Sequence, residues 1–131
     1  MIRIHQGIDI VEISKFRRIV RRSRPLISDV FTERERAYCE SAKDPLVHFA
    51  GRFAAKESYA KALGTGFSGP GIDHMFQEIE VVATPSGRPE ISVSGWVAKI
   101  AKKKKIDQCS VSISHSAHYA VASVILIGQK L

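Results

Sequence analysis

Cysteine is scarce in this chain. The two present, Cys39 and Cys109, lie far apart with no C-x-x-C spacing, so no disulfide between them can be inferred and both are read as reduced thiols. Long apolar runs are lacking as well. The longest, Tyr119 to Ile127, falls far short of the roughly 20 residues that span a bilayer, and the opening Met1-Ile2-Arg3-Ile4-His5 has no secretory apolar core. A cytoplasmic protein that does not enter the membrane is expected. No low-complexity linker, internal repeat or second-domain boundary interrupts the 131 residues, which suit one domain able to bury a core without staples. Acids are the minority charge: 13 Asp and Glu stand against 20 Lys and Arg, a net +7. That balance favours an acidic partner (nucleic acid, an anionic membrane surface, a phosphate-rich ligand or an acidic protein) without choosing among them.

The order of elements reads as α+β. A β-branched strand is expected from Ile2 to Ile10, then a helix from about Glu12 to Arg22 with Ile13, Phe16 and Val20 on one face and cations on the other. Pro25 closes that segment. Thr32 and Glu35 form a capping-box signature for a helix running to about Ser41. Asp44 as N-cap and Pro45 as first residue then open a long helix to Gly64, with Leu46, Phe49, Ala50, Phe53, Glu57 and Ala60 at helical spacing. Four glycines and Pro70 make 64–71 a loop or sharp turn. Strands at 79–82 and 89–93 flank Pro85-Ser86-Gly87. A short helix follows, capped by Ser94, with Trp96, Val97 and Ile100 facing the core and Lys102 to Lys105 at its end. A hairpin of 109–114 with 118–127 finishes the chain. Helices early and strands late predict one α+β domain, the helices packed on an antiparallel or mixed sheet.

Two acids sit where apolar residues belong. Asp9 interrupts Gly7-Ile8-Asp9-Ile10-Val11, and Glu57 lies on the apolar face that holds Phe49 and Phe53. An unpaired buried carboxylate costs on the order of several kcal/mol, so each needs a cation, a proton or donors. For Glu57 the ordinary answer is an intrahelical pair with Lys61, one turn on; for Asp9 it is a turn or cap acid. Taken together, two converging carboxylates with neighbouring cations suit magnesium bridging to a phosphate, because magnesium takes oxygen ligands and borrows those of its substrate.

Other features carry less. The glycine stretch lacks a Gly-Lys-Ser/Thr ending and follows a helix, so Gly64 reads as a C-cap and not a phosphate loop. His115 and His118 have a spacing that signals zinc only weakly; a turn role or a phosphate contact are the alternatives. Lys15, Arg17, Arg18, Arg21, Arg22 and Arg24 crowd the first helix and form either a docking surface or a solvated face.

Three segments, Gly7 to Ile13, Gly51 to Gly66 (GRFAAKESYAKALGTG) and Val111 to His115, occur in an order and spacing that closely resemble the holo-acyl-carrier-protein synthase family of 4′-phosphopantetheinyl transferases. The likeness spans nearly the whole chain. It implies transfer of phosphopantetheine from coenzyme A to a serine of apo-acyl carrier protein, with magnesium, in support of fatty acid biosynthesis. By that resemblance Asp9 and Glu57 hold the metal, and Lys61 neutralises phosphate oxygens. Arg52, Lys56 and His115 match positions in or near the coenzyme-binding motifs. Either Glu57 or a metal-linked water could take the serine proton. The resemblance also implies docking of acidic carrier protein on the basic first helix and a homotrimer with active sites between subunits. Lys15 stands where some relatives have arginine and lacks the planar bidentate fork. The stretch 68–74 carries no motif that can be transferred.

The competing reading is a nucleic-acid-binding domain, which would explain +7 and predict strongly salt-dependent binding. It needs aromatics among the cations, yet only Phe16 interrupts the cluster, on the core side, and Asp9 and Glu57 go unexplained.

Overall fold

The computed structural model describes residues 1–64 and 72–130, and for 72–74 the backbone alone. The expected loop therefore lies outside the described residues beyond Gly64, as does most of 68–74. Six helices and five strands follow in the order β1 (Ile2–Glu12), α1 (Ile13–Arg22), α2 (Pro25–Val30), α3 (Glu33–Glu40), α4 (Pro45–Leu63), α5 (Ile72–Gln77), β2 (Ile79–Ala83), β3 (Pro89–Val93), α6 (Gly95–Lys103), β4 (Ile106–His115) and β5 (Tyr119–Gln129).

The sheets resolve as wholly antiparallel. β5 is the centre of a three-stranded sheet, flanked by β1 from Ile2 opposite Gln129 to Glu12 opposite Tyr119, and by β4 from Ile106 opposite Gly128 to His115 opposite Ala120. β2 and β3 form a separate pair. Alternation along β5 turns Ala120, Ala122, Val124 and Leu126 inward, where α4 lies across the sheet. The opposite face stays open: Ile2, Ile4, Ile8 and Ile10 of β1 are 61–69% exposed.

α4 is the helix that organises the molecule. Pro45 starts it, and it ends at Gly64, whose φ of 77° is the left-handed cap expected there. The Lys104 ammonium sits on the Leu63 carbonyl, a cation where the helix dipole favours one. The Thr32–Glu35 capping box forms in full at α3.

Several local expectations are corrected. Pro25 opens a helix as well as closing one, because its fixed φ suits a first helical residue; α2 and α5, six residues each, are too short to show a periodic stripe. Neither Asp44 nor Ser94 caps with its side chain. Glu78 takes the second job from outside the helix, its Oε2 accepting the Val97 N–H at 2.9 Å. Trp96 is 60% exposed, since Val97 and Ala101, one turn apart, claim the buried side of α6. β4 begins at Ile106, earlier than the hydrophobic pattern suggested.

Candidate active site

Gly7 decides how close α4 can come to β1. A β-carbon there would stand 2.0 Å from the Ser58 carbonyl oxygen and 2.8 Å from the Ala62 nitrogen, so helix and strand touch backbone to backbone. Asp9, two residues on and therefore on the same face, is delivered to the next part of the helix. Lys61 Nζ donates to Asp9 Oδ1 at 2.9 Å and to the Ile8 carbonyl at 3.1 Å. The expected intrahelical Glu57–Lys61 ion pair is not among the ion pairs of the described residues; Lys61 reaches across to the strand instead.

Glu57 completes the cluster. Burial pushes its carboxyl pKa above the ordinary value, the Asp9 charge pushes it further, and Lys61 opposes both. The hydrogen bond to Asp9 chiefly holds Lys61 above its own ordinary value. Two neighbouring acids, one of them bonded to Lys61, leave room for further positive charge. No group of three His, Cys, Asp or Glu that could hold a metal occurs among the described residues. Two acids with free positions left to water and phosphate are the donor set magnesium accepts, so these residues fit that ion. A cavity of about 370 Å³ opens beside Asp9, lined also by Lys15, Phe16, Phe53 and Tyr119, and it joins Asp9 to the basic helix.

A second cluster lies at the other edge of the sheet. Asp9 and Ile113 both pair with Ala122, so β1 and β4 are two strand spacings apart, about 10 Å. A β-carbon at Gly51 would fall 2.9 Å from Ile113 Cγ2; Ile113 thus faces α4, and His115, two residues on, shares that face. The His115 ring lies 5.8 Å from that of His48, which is 6.2 Å from Tyr38. The Arg52 guanidinium covers the Tyr38 ring at 4.0 Å. Arg52 is 6% exposed, and its Nε has no hydrogen-bond partner among the described residues. A buried cation with an unused donor is a ready receptor for an anion. Tyr38 and His48 were not found from sequence, because each carries no motif and meets the others only through the fold.

Lys56, which the resemblance puts in or near the coenzyme-binding motifs, turns into the fold. It is 0% exposed, and its ammonium donates at 2.7 Å to Glu35 Oε1 and to the carbonyls of Phe76 and Ile79. All three N–H bonds are engaged inside the fold. Burial pulls its pKa down from the ordinary lysine value while Glu35 pulls it back. His118 supports the hairpin turn, its carbonyl accepting the Ile13 N–H at 2.9 Å. Phe16 is buried, as expected, while Lys15, Arg18, Arg21, Arg22 and Arg24 are exposed. None of the six cations of this segment makes an ion pair among the described residues.

The sequence model of the 4′-phosphopantetheinyl transferase superfamily matches residues 6–124. The chain belongs to that superfamily. Its relatives include proteins named holo-[acyl-carrier-protein] synthase: one from Syntrophotalea carbinolica, 41% identical over 93% of this chain and 94% of its own, and one from Caldanaerobacter subterraneus subsp. tengcongensis, 37% identical over 95% of each. Among solved structures, the "Chronobacterium ammoniagenes ACPS-CoA complex" is similar with a TM-score of 0.87 and 30% identity, covering 98% of this chain and 99% of that one. The chain is thus an α+β phosphopantetheinyl transferase.

Proposed function

We propose that residues 1–131 form one holo-acyl-carrier-protein synthase domain. It moves the 4′-phosphopantetheine group from coenzyme A to a serine of apo-acyl carrier protein and releases adenosine 3′,5′-bisphosphate. The observation that carries the reading is the meeting of Asp9, Lys61 and Glu57 from two distant elements. The relatives' shared name and the coenzyme A complex of a similar fold support the substrate pair.

In this reading Asp9 and Glu57 hold a magnesium ion, which when bound supplies charge neutralisation on the coenzyme pyrophosphate and its leaving group. The serine Oγ forms the new bond to the β-phosphorus, and the bond from that phosphorus to the departing adenosine bisphosphate breaks. Glu57, beside Asp9 and Lys61, is the side chain placed to take the serine proton as the new bond forms. Lys61 neutralises phosphate oxygens, and its bond to Asp9 keeps the ammonium over the reacting end of the substrate. Arg52 and His115 hold an anionic part of coenzyme A, the unused Arg52 donor being the reason. Lys56 keeps no free N–H for that task.

The acid cluster and the Arg52 cluster lie at opposite sheet edges with α4 between them. A second copy supplying one half against the other's opposite half would complete the site. The exposed isoleucines of β1 offer the apolar surface for such assembly, and the resemblance sets the number of copies at three. The cationic helix α1 receives the acidic carrier protein through Lys15, Arg17, Arg18, Arg21, Arg22 and Arg24. A cytoplasmic place in fatty acid biosynthesis completes the proposal. No described helix is long and apolar enough to cross a membrane.

Incubation with magnesium, coenzyme A and apo-acyl carrier protein is expected to add the mass of one phosphopantetheine group to the carrier. No mass gain with several carriers, alongside salt-sensitive binding to DNA or RNA, would favour the nucleic-acid reading instead.

A further inference from the structure

α4 carries many small buried side chains: Ala50, Ala54, Ala55, Ala60 and Ala62 are all buried. These small side chains interlock less deeply than larger ones would, although Phe49, Tyr59 and Leu63 are buried beside them, so polar anchors add to the resistance against rotation about the helix axis. Rotation matters because Glu57 projects from this helix. With side chains a helix is about 5–6 Å in radius, so a ~10° turn displaces a carboxylate at its rim by about 1 Å.

Polar contacts tie the helix to the sheet, Ser58 Oγ donating to the Ala122 carbonyl at 2.9 Å and Lys61 to Asp9 and Ile8. The most fully enclosed anchor, on its opposite flank, is Lys56. Lys56, the residue before Glu57, sends its ammonium in a direction about 100° away around the helix, into an enclosed site holding Glu35 Oε1 and the carbonyls of Phe76 and Ile79. Glu35 is itself fixed. Its Oε1 also accepts the Thr32 N–H at 2.9 Å, and its Oε2 accepts the Val81 N–H at 2.9 Å. Thr32 Oγ1 in turn donates to Glu80 Oε2 at 2.6 Å. A single ion pair thus ties α4 to the start of α3, the end of α5 and the first residues of β2.

We infer that Glu35 and Lys56 are a positioning pair, which locks the rotation of α4 and thereby aims Glu57 at the reacting serine. The inference rests on the transferase reading and assigns Lys56 a role away from the coenzyme. The pair cannot be exchanged end for end, because two backbone carbonyls need the ammonium and two backbone N–H groups need the carboxylate.

The test compares Lys56→Met, Lys56→Arg, Glu35→Gln and the double variant Glu35→Gln/Lys56→Met in the full chain, with melting curves for each. Each single substitution is expected to lower kcat about 100-fold, the scale of a ~1 Å misplacement, with KM for coenzyme A held within about 2-fold. The double variant is expected to be no worse than the poorer single one. Lys56→Arg is expected not to rescue, since the larger guanidinium does not fit the enclosed site. Should Lys56→Met fail to fold, Glu35→Gln, which keeps shape and an acceptor, carries the kinetic comparison. A raised KM in Lys56→Met that Lys56→Arg restores, with Glu35→Gln normal, would overturn the inference in favour of a coenzyme contact. A measurement independent of turnover is the nitrogen-15 resonance of the Lys56 ammonium in the wild type. Slow proton exchange, unchanged by coenzyme A, supports the pair; fast exchange overturns it. Absence of transfer by the wild type would defeat the transferase reading alone, leaving the resonance to decide the pair.

Discussion

Gly7 and Ser58 touch backbone to backbone, and Asp9 owes its place to that contact. Gly7→Ala puts a methyl group 2.0 Å from the Ser58 carbonyl oxygen, an overlap that only a shift of strand from helix can relieve. A loss of about 1–3 kcal/mol, the usual cost of overpacking, is expected by chemical denaturation. Transfer activity should fall further than the folded fraction does. Wild-type activity in the folded variant would detach Asp9 from this contact.

Lys61 and Asp9 should act as one unit. Lys61→Met and Asp9→Asn are each expected to reduce turnover about 10²- to 10³-fold, the scale of losing one electrostatic contact at developing charge. Their double variant should lose much less than the product of the two. Rate losses that multiply would mean the 2.9 Å bond joins two independent groups.

The histidine beside Arg52 gives the fold an acid limit. Burial first, then the charges of Arg52 and His115, hold His48 below its ordinary value of 6.5, with Asp44 acting the other way. The unfolded chain therefore binds more protons in this range, so the contribution is fully present above pH 6.5 and is lost as pH falls through the folded value. Melting temperature should drop as pH falls below 6.5, and His48→Phe should flatten that slope. An identical slope in the variant would assign the acid limit elsewhere.

Charge on α1 should govern encounter with the carrier. Reversing Arg18 and Arg21 to Glu is expected to raise KM for acyl carrier protein about 10-fold and leave kcat little changed. It should also weaken the dependence of kcat/KM on salt. Salt curves that superimpose would move the docking surface off this helix.

The isoleucine stripe on β1 should hold copies together. Light scattering is expected to give three copies for the wild type and one for Ile4→Lys/Ile8→Lys, with transfer lost in the monomer, as the proposed sharing of each site between two chains requires. A fully active monomer would show that one chain carries both clusters.

How far these features could be read in advance follows from their reach along the chain. The Thr32–Glu35 box and the Gly64 cap are local, and they appeared where the residue types placed them. Asp9 and Glu57 stood out as acids in apolar runs, and the fold does bring them close. Their cation was read less well: the helical spacing offered Glu57 as the partner of Lys61, while the true partner lies 52 positions away. The surroundings of Lys56 were hidden for the same reason: nothing near it in sequence points to Glu35 or to the carbonyls that enclose it. Trp96 was assigned to the core on hydrophobicity, yet a short helix has only one buried side, and Val97 and Ala101 occupy it.

The pairing of β1 with β5 carries a consequence for biosynthesis. Asp9 gains its neighbour Ala122 only after almost the entire described chain has left the ribosome. Until then the nascent polypeptide holds an isoleucine-rich strand with no hydrogen-bonding mate, an invitation to stick to other chains. Such long-range closure slows folding, so yield in the cell should depend on chaperones that shield the newborn amino-terminal strand.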